Sequence, residues 1–339
     1  MAVDYRTEAS ELLMQFLNYH ENIRNHSQRT VDEYFLDLRT FFRFMKIHRG
    51  LVPADAEFDS IPIRDIDLAF VREITVTDVY AFLNFLSRDR PRNQHSRHTE
   101  YGLSPTSRAR KVATIRSFYR YLTAKAKLME KSPMQDLDTP KTLKSLPKFL
   151  SLDESIQLLA SIDGQNVERD YCIITLFLNC GLRISELIGL NLTDLRADHI
   201  RVTGKGNKER IIYLNEACTE ALNNYLQVRK LKPCTDKNAL FVSRNRNRIS
   251  RSTVHYLVKK YLSAAGLDST QYSSHKLRHT AATLLLQNGV DVRTLQEVLG
   301  HDHLNTTQIY THVDSSELRV AAQASPLSGI KQKKAEPDE

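Results

Sequence analysis

The sequence predicts a mainly α-helical chain in two domains, with one small antiparallel β-sheet in the second. Three observations carry this reading. Apolar residues recur at helical period through most of residues 8–135. Only one pair of segments alternates like strands, at 199–203 and 210–214, on either side of the turn Gly204-Lys205-Gly206. Between the halves, residues 136–149 hold Pro140 and Pro147 and no apolar period, which marks a linker. The length of 339 residues agrees with two domains.

In the first half, residues 30–45 place Val31, Tyr34, Leu38, Phe41, Phe42 and Met45 on one helical stripe. Thr75 and Asp78 have capping-box spacing before Val79, Phe82, Leu83 and Leu86. Ser104-Pro105 reads as an N-cap with Pro at the first helical position, and Val112, Ile115, Tyr119 and Leu122 follow as the buried stripe. The opposite face of that helix carries Ser107, Arg110, Lys111, Thr114 and Ser117. The segment 104–125 contains no acid, so this face is either solvated or a phosphate contact. Residues 50–64 and 87–103 read as loops, the second rich in Arg and His.

In the second half, a helix starts near Ser151, with Asp153 and Glu154 in its first turn. An apolar helix over 170–178 ends at Cys180-Gly181, where Gly181 suits a left-handed C-cap. Residues 182–187 begin a short helix. Asn215 caps a helix to about Lys230. Further helices are expected over 252–264, 274–287, 292–299 and after Asp314. The domain bounds that follow are 1–135, a linker 136–149, a second domain 150–325 and a charged tail 326–339.

The bulk numbers narrow the function. A net charge of +8 favours a polyanionic partner. No run of about 18 apolar residues exists, so a spanning helix and a membrane partner are not expected. The N-terminus lacks a signal-peptide pattern, and the four cysteines, Cys172, Cys180, Cys218 and Cys234, form no C-x-x-C pair. The expected setting is a reducing cytoplasm.

The candidate functional residues lie late in the chain. Ser274-His275-Lys276-Leu277-Arg278-His279-Thr280 puts His275 and Arg278 on one helix face near an N-terminus, where backbone N–H groups and the helix dipole favour an anion. An Arg there can make two parallel bonds to a phosphate. His301 follows Leu299-Gly300, and Tyr310 is flanked by Gln308, Thr311 and His312. A metal site is disfavoured, because the i, i+4 pair His275 and His279 has Lys276 where a zinc-protease helix carries Glu. Upstream, Arg183 and Glu186 stand one helical turn apart, and Lys205 sits in the glycine-flanked turn. Each taken singly reads equally well as a surface pair or a solvated lysine.

Together these segments resemble the tyrosine recombinases of the phage-integrase superfamily, most of all their bacterial Xer branch. The matching runs are Cys180-Gly181-Leu182-Arg183-Ile184-Ser185-Glu186-Leu187, Gly204-Lys205-Gly206-Asn207-Lys208-Glu209-Arg210, His275-Lys276-Leu277-Arg278-His279-Thr280, Leu299-Gly300-His301 and Ile309-Tyr310-Thr311-His312. The resemblance covers 151–320 closely and the helical first half more loosely, with extra length around 50–65 and 88–103. It implies a two-domain DNA clamp, with a helical core-binding domain followed by a catalytic domain.

It also implies roles. Tyr310 would attack a scissile DNA phosphate to give a 3′-phosphotyrosine and a free 5′-hydroxyl. Arg183 and Arg278 would hold the non-bridging oxygens, Lys205 would protonate the leaving oxygen, His275 would move the tyrosine proton, and His301 would hydrogen-bond the phosphate. Glu186 would support Arg183 and His279 would play a supporting part. Arg110, Lys111, Arg251 and His255 are candidate DNA contacts. No cofactor or metal is implied. The partners implied are a duplex target site and a tetramer on DNA, of one recombinase or with a paralogue, in the cytoplasm at the nucleoid. The biological task implied is chromosome-dimer resolution, with integration or excision of a mobile element as the alternative. A non-catalytic DNA-binding protein, a supercoil-relaxing enzyme and a metal-dependent nuclease are the rival classes.

Overall fold

The computed structural model describes residues 5–92, 100–140, 148–204, 208–230, 234–300, 320 and 323–330. The chain divides into two units, Met1–Ser145 and Leu146–Glu339, each with its own hydrophobic core.

The N-terminal unit is helical. Ser10 caps α1 (Glu11–Asn18), which runs into a π-turn at Tyr19–Ile23. Ser27 caps α2 (Gln28–His48), whose buried stripe is Val31, Phe35, Leu38, Phe41, Phe42 and Met45. Phe35 takes the place expected of Tyr34, which is only half-buried and packs its ring against Phe16 and His20. The short α3 (Leu68–Glu73) precedes α4 (Val76–Arg88), which opens with the Thr75–Asp78 capping box. A two-residue hairpin, β1 (Pro91–Arg92) against β2 (Glu100–Tyr101), lies in a segment too short in period to be read as strands. Ser104 caps α5 (Pro105–Ala124), with Pro at its start. The extra length near 50–65 packs on its own unit. Arg43 donates to the Ile61 carbonyl (2.9 Å) and Lys46 to Asp65 (2.8 Å).

This core reaches further than the sequence suggests. Met134 and Leu137 are buried in it, and Arg116 bonds Thr139, so residues 136–140 pack on the N-terminal unit instead of forming free linker. A single apolar residue among prolines and aspartates has no period by which to be recognised.

The C-terminal unit opens at Leu150, which is fully buried and donates its N–H to Thr280 (2.9 Å). A Ser151–Glu154 capping box starts α6 (Leu152–Ala160). Next comes α7 (Val167–Cys180), buried from Arg169 to its end, as its apolar run demands. The short α8 (Ile184–Gly189) leads to the antiparallel pair β3 (His199–Thr203) and β4 (Glu209–Tyr213), in register Val202↔Arg210 and Ile200↔Ile212. Asn215 accepts from the Cys218 N–H at the start of α9 (Glu216–Lys230). The remaining helices are α10 (Arg251–Ala264), α11 (Ser274–Gln287) and α12 (Val292–Leu299).

The stretch expected as tail from 326 is packed on this core as far as it is described, to residue 330. Leu327 is fully buried in this core, the Ser325 hydroxyl donates to Asn179, and the Ala217 N–H donates to the Ser328 carbonyl. Residues 326–330 therefore belong to the second unit. The helix expected after Asp314 lies largely outside the described residues. Among those described, no helix is long and apolar enough to cross a membrane.

Candidate active site

The site begins where α7 stops. Gly181 takes a left-handed conformation (φ +57°) as the C-cap, and a Cβ there would meet Leu299 Cδ2 at 2.6 Å. Only glycine allows both the turn and the close approach of α12. Two residues later the chain turns into α8, and Arg183 occupies its N-cap position. Glu186, one turn on, accepts from the Arg183 backbone N–H (2.8 Å) and from its Nη1 (2.7 Å). One carboxylate thus fixes both the backbone and the side chain of Arg183.

Glu186 is buried and serves other cations too. Arg210, on the inward face of β4, donates Nη1 to Oε1 (2.8 Å) and Nη2 to Oε2 (3.0 Å). Arg278 Nη1 lies 3.8 Å from Oε2. Burial alone would raise this carboxyl's pKa. The hydrogen bonds and charge of Arg210, then those of Arg183, outweigh it and hold the group below the ordinary glutamate value.

The three guanidinium groups converge on the end of α12. Arg210 Nε donates to the Val298 carbonyl (3.0 Å), Arg278 Nη2 to Leu299 (2.5 Å) and Arg183 Nη2 to Gly300 (2.7 Å). Successive carbonyls at a helix C-terminus are unsatisfied acceptors at the negative end of the dipole, so cations cap them well. Arg278 also donates Nη1 to Gly181 (2.6 Å), which ties α7 to α12. Burial, then the neighbouring Arg183 charge, lowers the Arg278 pKa to about 10, against the partial offset of Glu186. Arg278 is therefore still cationic at neutral pH.

The Arg183 side chain is 34% exposed and that of Arg278 only 5%. In this arrangement Arg183 is the guanidinium that faces solvent, while Arg278 is buried on the Gly181 and Leu299 carbonyls. The helix N-terminus expected to hold an anion beside Arg278 is arranged differently, because the long side chain turns inward to the α12 carbonyls. His275, exposed, and His279 lie on the same face of α11, their rings edge to face at 4.7 Å. Burial, followed by charge from neighbours, lowers both histidine pKa values. At neutral pH both rings are uncharged, and one nitrogen of each is free to accept a proton.

Lys205, His301 and Tyr310 lie outside the described residues. The described residues next to Lys205 and His301 fall at this cluster. Gly204, the residue before Lys205, accepts a Cβ only 3.7 Å from Glu186 Oε1, and Gly300, the residue before His301, is the Arg183 acceptor. Sequence reasoning passed over Arg210. The signal was present, since a strand alternating Arg210, Ile212 puts an arginine on the same face as a core residue. Among the described residues no group of His, Cys, Asp and Glu is arranged to hold a metal ion.

The expected DNA contacts separate into two kinds. Lys111 is buried, with Nζ 2.7 Å from Asp37 Oδ1, and Thr114 Oγ1 donates to Asp37 Oδ2 (3.0 Å). This corrects the reading of Lys111 as a phosphate ligand: its charge is consumed by an aspartate that is itself buried. Arg110 shares Asp37 (2.7 Å) and Glu33 (2.8 Å) but keeps a half-exposed side chain. The acids come from α2, far back in the chain, so the acid-free α5 looked more basic than its surroundings. Arg251 and His255 are exposed at the start of α10, beside the exposed Tyr256. Arg248 is instead structural, bonding Asp236, Asn191 and the Ile188 and Leu190 carbonyls.

Residues 148–317 match the Phage integrase family. The chain is 51% identical to a tyrosine recombinase XerC of Caldanaerobacter subterraneus subsp. tengcongensis, covering 94% of this chain and 87% of that one. It is 39% identical to a tyrosine recombinase XerD of Proteus mirabilis, over 74% of this chain and 78% of the relative. Among solved structures it resembles the XerH site-specific recombinase bound to a palindromic difH substrate in a post-cleavage complex, with 25% identity, 91% and 83% of the two chains covered and a TM-score of 0.62. A lambda integrase dimer bound to a COC′ core site has the same fold, with 17% identity, 98% and 82% covered and a TM-score of 0.57.

Proposed function

The chain belongs to the phage integrase family of tyrosine recombinases, and from that premise we propose that it cuts and rejoins DNA at a specific site through a 3′-phosphotyrosine, in resolving chromosome dimers. The observation that carries the reading is the arginine cluster. Three guanidinium groups surround one buried carboxylate, so two positive charges remain uncompensated at the point where the chain runs on to His301 and Tyr310. A pentacovalent phosphoryl transition state carries more negative charge than the phosphodiester, and fixed donors stabilise it preferentially.

The roles rest on family resemblance, supported for Arg183, Glu186, His275 and Arg278 by the positions described above. Tyr310 attacks the phosphorus. Arg183, with Arg278 behind it, neutralises the non-bridging oxygens. Glu186 keeps Arg183 in place. His275, held neutral, takes the tyrosine proton, since a free tyrosine with a pKa of about 10 is largely protonated at neutral pH. His279 packs against the His275 ring. Lys205 protonates the leaving 5′-oxygen and His301 donates to the phosphate. The phosphotyrosine conserves the energy of the broken bond, so rejoining calls for no ATP, and the arginines supply the charge that a metal supplies elsewhere.

The N-terminal unit serves as the core-binding domain and the C-terminal unit as the catalytic domain. Arg251 and His255 contact the duplex. The assembly is a tetramer on DNA, of this chain alone or with a paralogue, in the cytoplasm at the nucleoid. Integration or excision of a mobile element is the alternative task, and similarity to a XerC over 94% of the chain and to a XerD over 74% favours dimer resolution.

The test is covalent trapping on a nicked target duplex. Tyr310→Phe abolishes the protein–DNA adduct and leaves duplex binding intact, and an adduct formed by that variant refutes the nucleophile assignment. Arg183→Ala loses cleavage by roughly 3 to 4 kcal/mol of barrier, well beyond its loss of binding.

A further inference from the structure

Arg210 uses every arm of its guanidinium on the protein. Nη1 and Nη2 form a two-pronged pair with Glu186, and Nε caps Val298. Its side chain is 15% exposed, less than half the exposure of Arg183. Gly300, in a left-handed turn (φ +63°), lies against it so closely that a Cβ would sit 3.1 Å from its Cδ, Nε and Cζ. Three of its five N–H donors are spent on these contacts, and the low exposure of the side chain sets it behind Arg183 with respect to a phosphate. Yet Arg210 is the partner that contributes most to holding the Glu186 carboxylate ionised.

We propose that Arg210 is a positioning residue for strand cleavage: through Glu186 and the α12 C-terminus, it holds the Arg183 guanidinium in place and leaves more of its charge uncompensated for the scissile phosphate. The inference rests on the reading of Arg183 as a phosphate ligand. Two physical effects underlie it. The first is geometric. Glu186 divides its oxygens between two arginines, and planar two-pronged pairing fixes the carboxylate plane and hence the Arg183 Nη1 that bonds to it. The second is electrostatic. Without Arg210, the carboxylate charge falls wholly on Arg183 and Arg278, and the net positive charge available to the phosphate drops from two to one. The same guanidinium joins β4, which leads back to Gly204, with the α12 end that leads on to His301.

The experiment compares wild type, Arg183→Ala, Arg210→Met and Arg210→Lys on two nicked duplexes. One has a normal scissile phosphate. The other has a methylphosphonate there, in which a neutral methyl replaces one charged non-bridging oxygen. On the normal duplex, Arg210→Met cleaves roughly 10- to 100-fold more slowly, the worth of a charge-assisted hydrogen bond, with duplex binding within about threefold of wild type. Arg210→Lys, which keeps the charge but not the two-pronged geometry, falls in between. On the methylphosphonate duplex the Arg210→Met deficit shrinks to within about threefold, as does much of the Arg183→Ala deficit, because less charge has to be met.

Relief for Arg183→Ala but equal Arg210→Met losses on both duplexes overturn this inference alone. No relief for Arg183→Ala overturns the phosphate-site reading and this inference with it. If both Arg210 variants lose the fold or duplex binding, Arg210 is a stability residue and the inference is wrong.

Discussion

Replacing Glu186 with glutamine removes the single buried negative charge shared by three arginines. Its magnitude can be worked from the contacts. The carboxylate accepts four hydrogen bonds, from the Arg183 N–H and Nη1 and from Arg210 Nη1 and Nη2, at 2.7 to 3.0 Å. Removing one partner of a buried pair typically costs 3 to 5 kcal/mol, because the remaining charges stay buried without compensation. Glutamine keeps one oxygen but turns an NH2 toward donors, so the expected cost is about 3 kcal/mol. For a unit of 194 residues (146 to 339) this lowers the unfolding midpoint by about 6 to 12 °C. Hydrogen exchange at the amides of α7 and α11 in the full chain reads that unit separately from the N-terminal one.

A double-mutant cycle with Arg210→Met sharpens the test. With Arg210 absent, losing the carboxylate strands two arginines instead of three, so the double variant is more stable than additivity predicts by more than about 1 kcal/mol. The Glu186 carboxyl is depressed in the folded state, so its stabilisation is present above the unfolded glutamate value of about 4.3. It is lost as the pH falls through the lower folded value, and the gap between wild type and Glu186→Gln closes in acid. Additive energies within about 0.5 kcal/mol, or a gap that does not close in acid, would refute the reasoning.

Gly181→Ala combines a left-handed alanine with the clash against Leu299, for a destabilisation of about 2 to 4 kcal/mol. Because α12 must move, cleavage falls as well, and adding Leu299→Ala restores part of both. A midpoint within about 1 °C of wild type contradicts the described contact. Duplex binding measured against salt separates the two kinds of cation. Arg251→Ala lowers the slope of log K on log salt by about one phosphate contact, whereas Lys111→Met leaves the slope unchanged and destabilises the N-terminal unit, because it leaves Asp37 buried without its lysine. A reduced slope for Lys111→Met returns that lysine to the DNA interface.

By itself the sequence determined the helical periods, the caps and the β3–β4 pair, because these depend on neighbours within a few residues. Thr75 with Asp78, Ser151 with Glu154, and Gly181 closing α7 all sit where local hydrogen bonding and backbone sterics put them. It also determined the chemical types of the site, since Arg183, Glu186, His275 and Arg278 stand in characteristic runs. Tertiary structure alone decided what each charge faces. Asp37 reaches Lys111 from 74 residues away, and the α12 carbonyls turn Arg278 inward from 21 residues away. The same long-range packing made Arg210 part of the site and drew Leu137 and Leu327 into cores at stretches read as linker and tail. Periodicity reports which face of a helix is apolar, but the partner of a buried charge is chosen by elements that meet only when the chain folds, and the cost of burying that charge alone makes the choice binding.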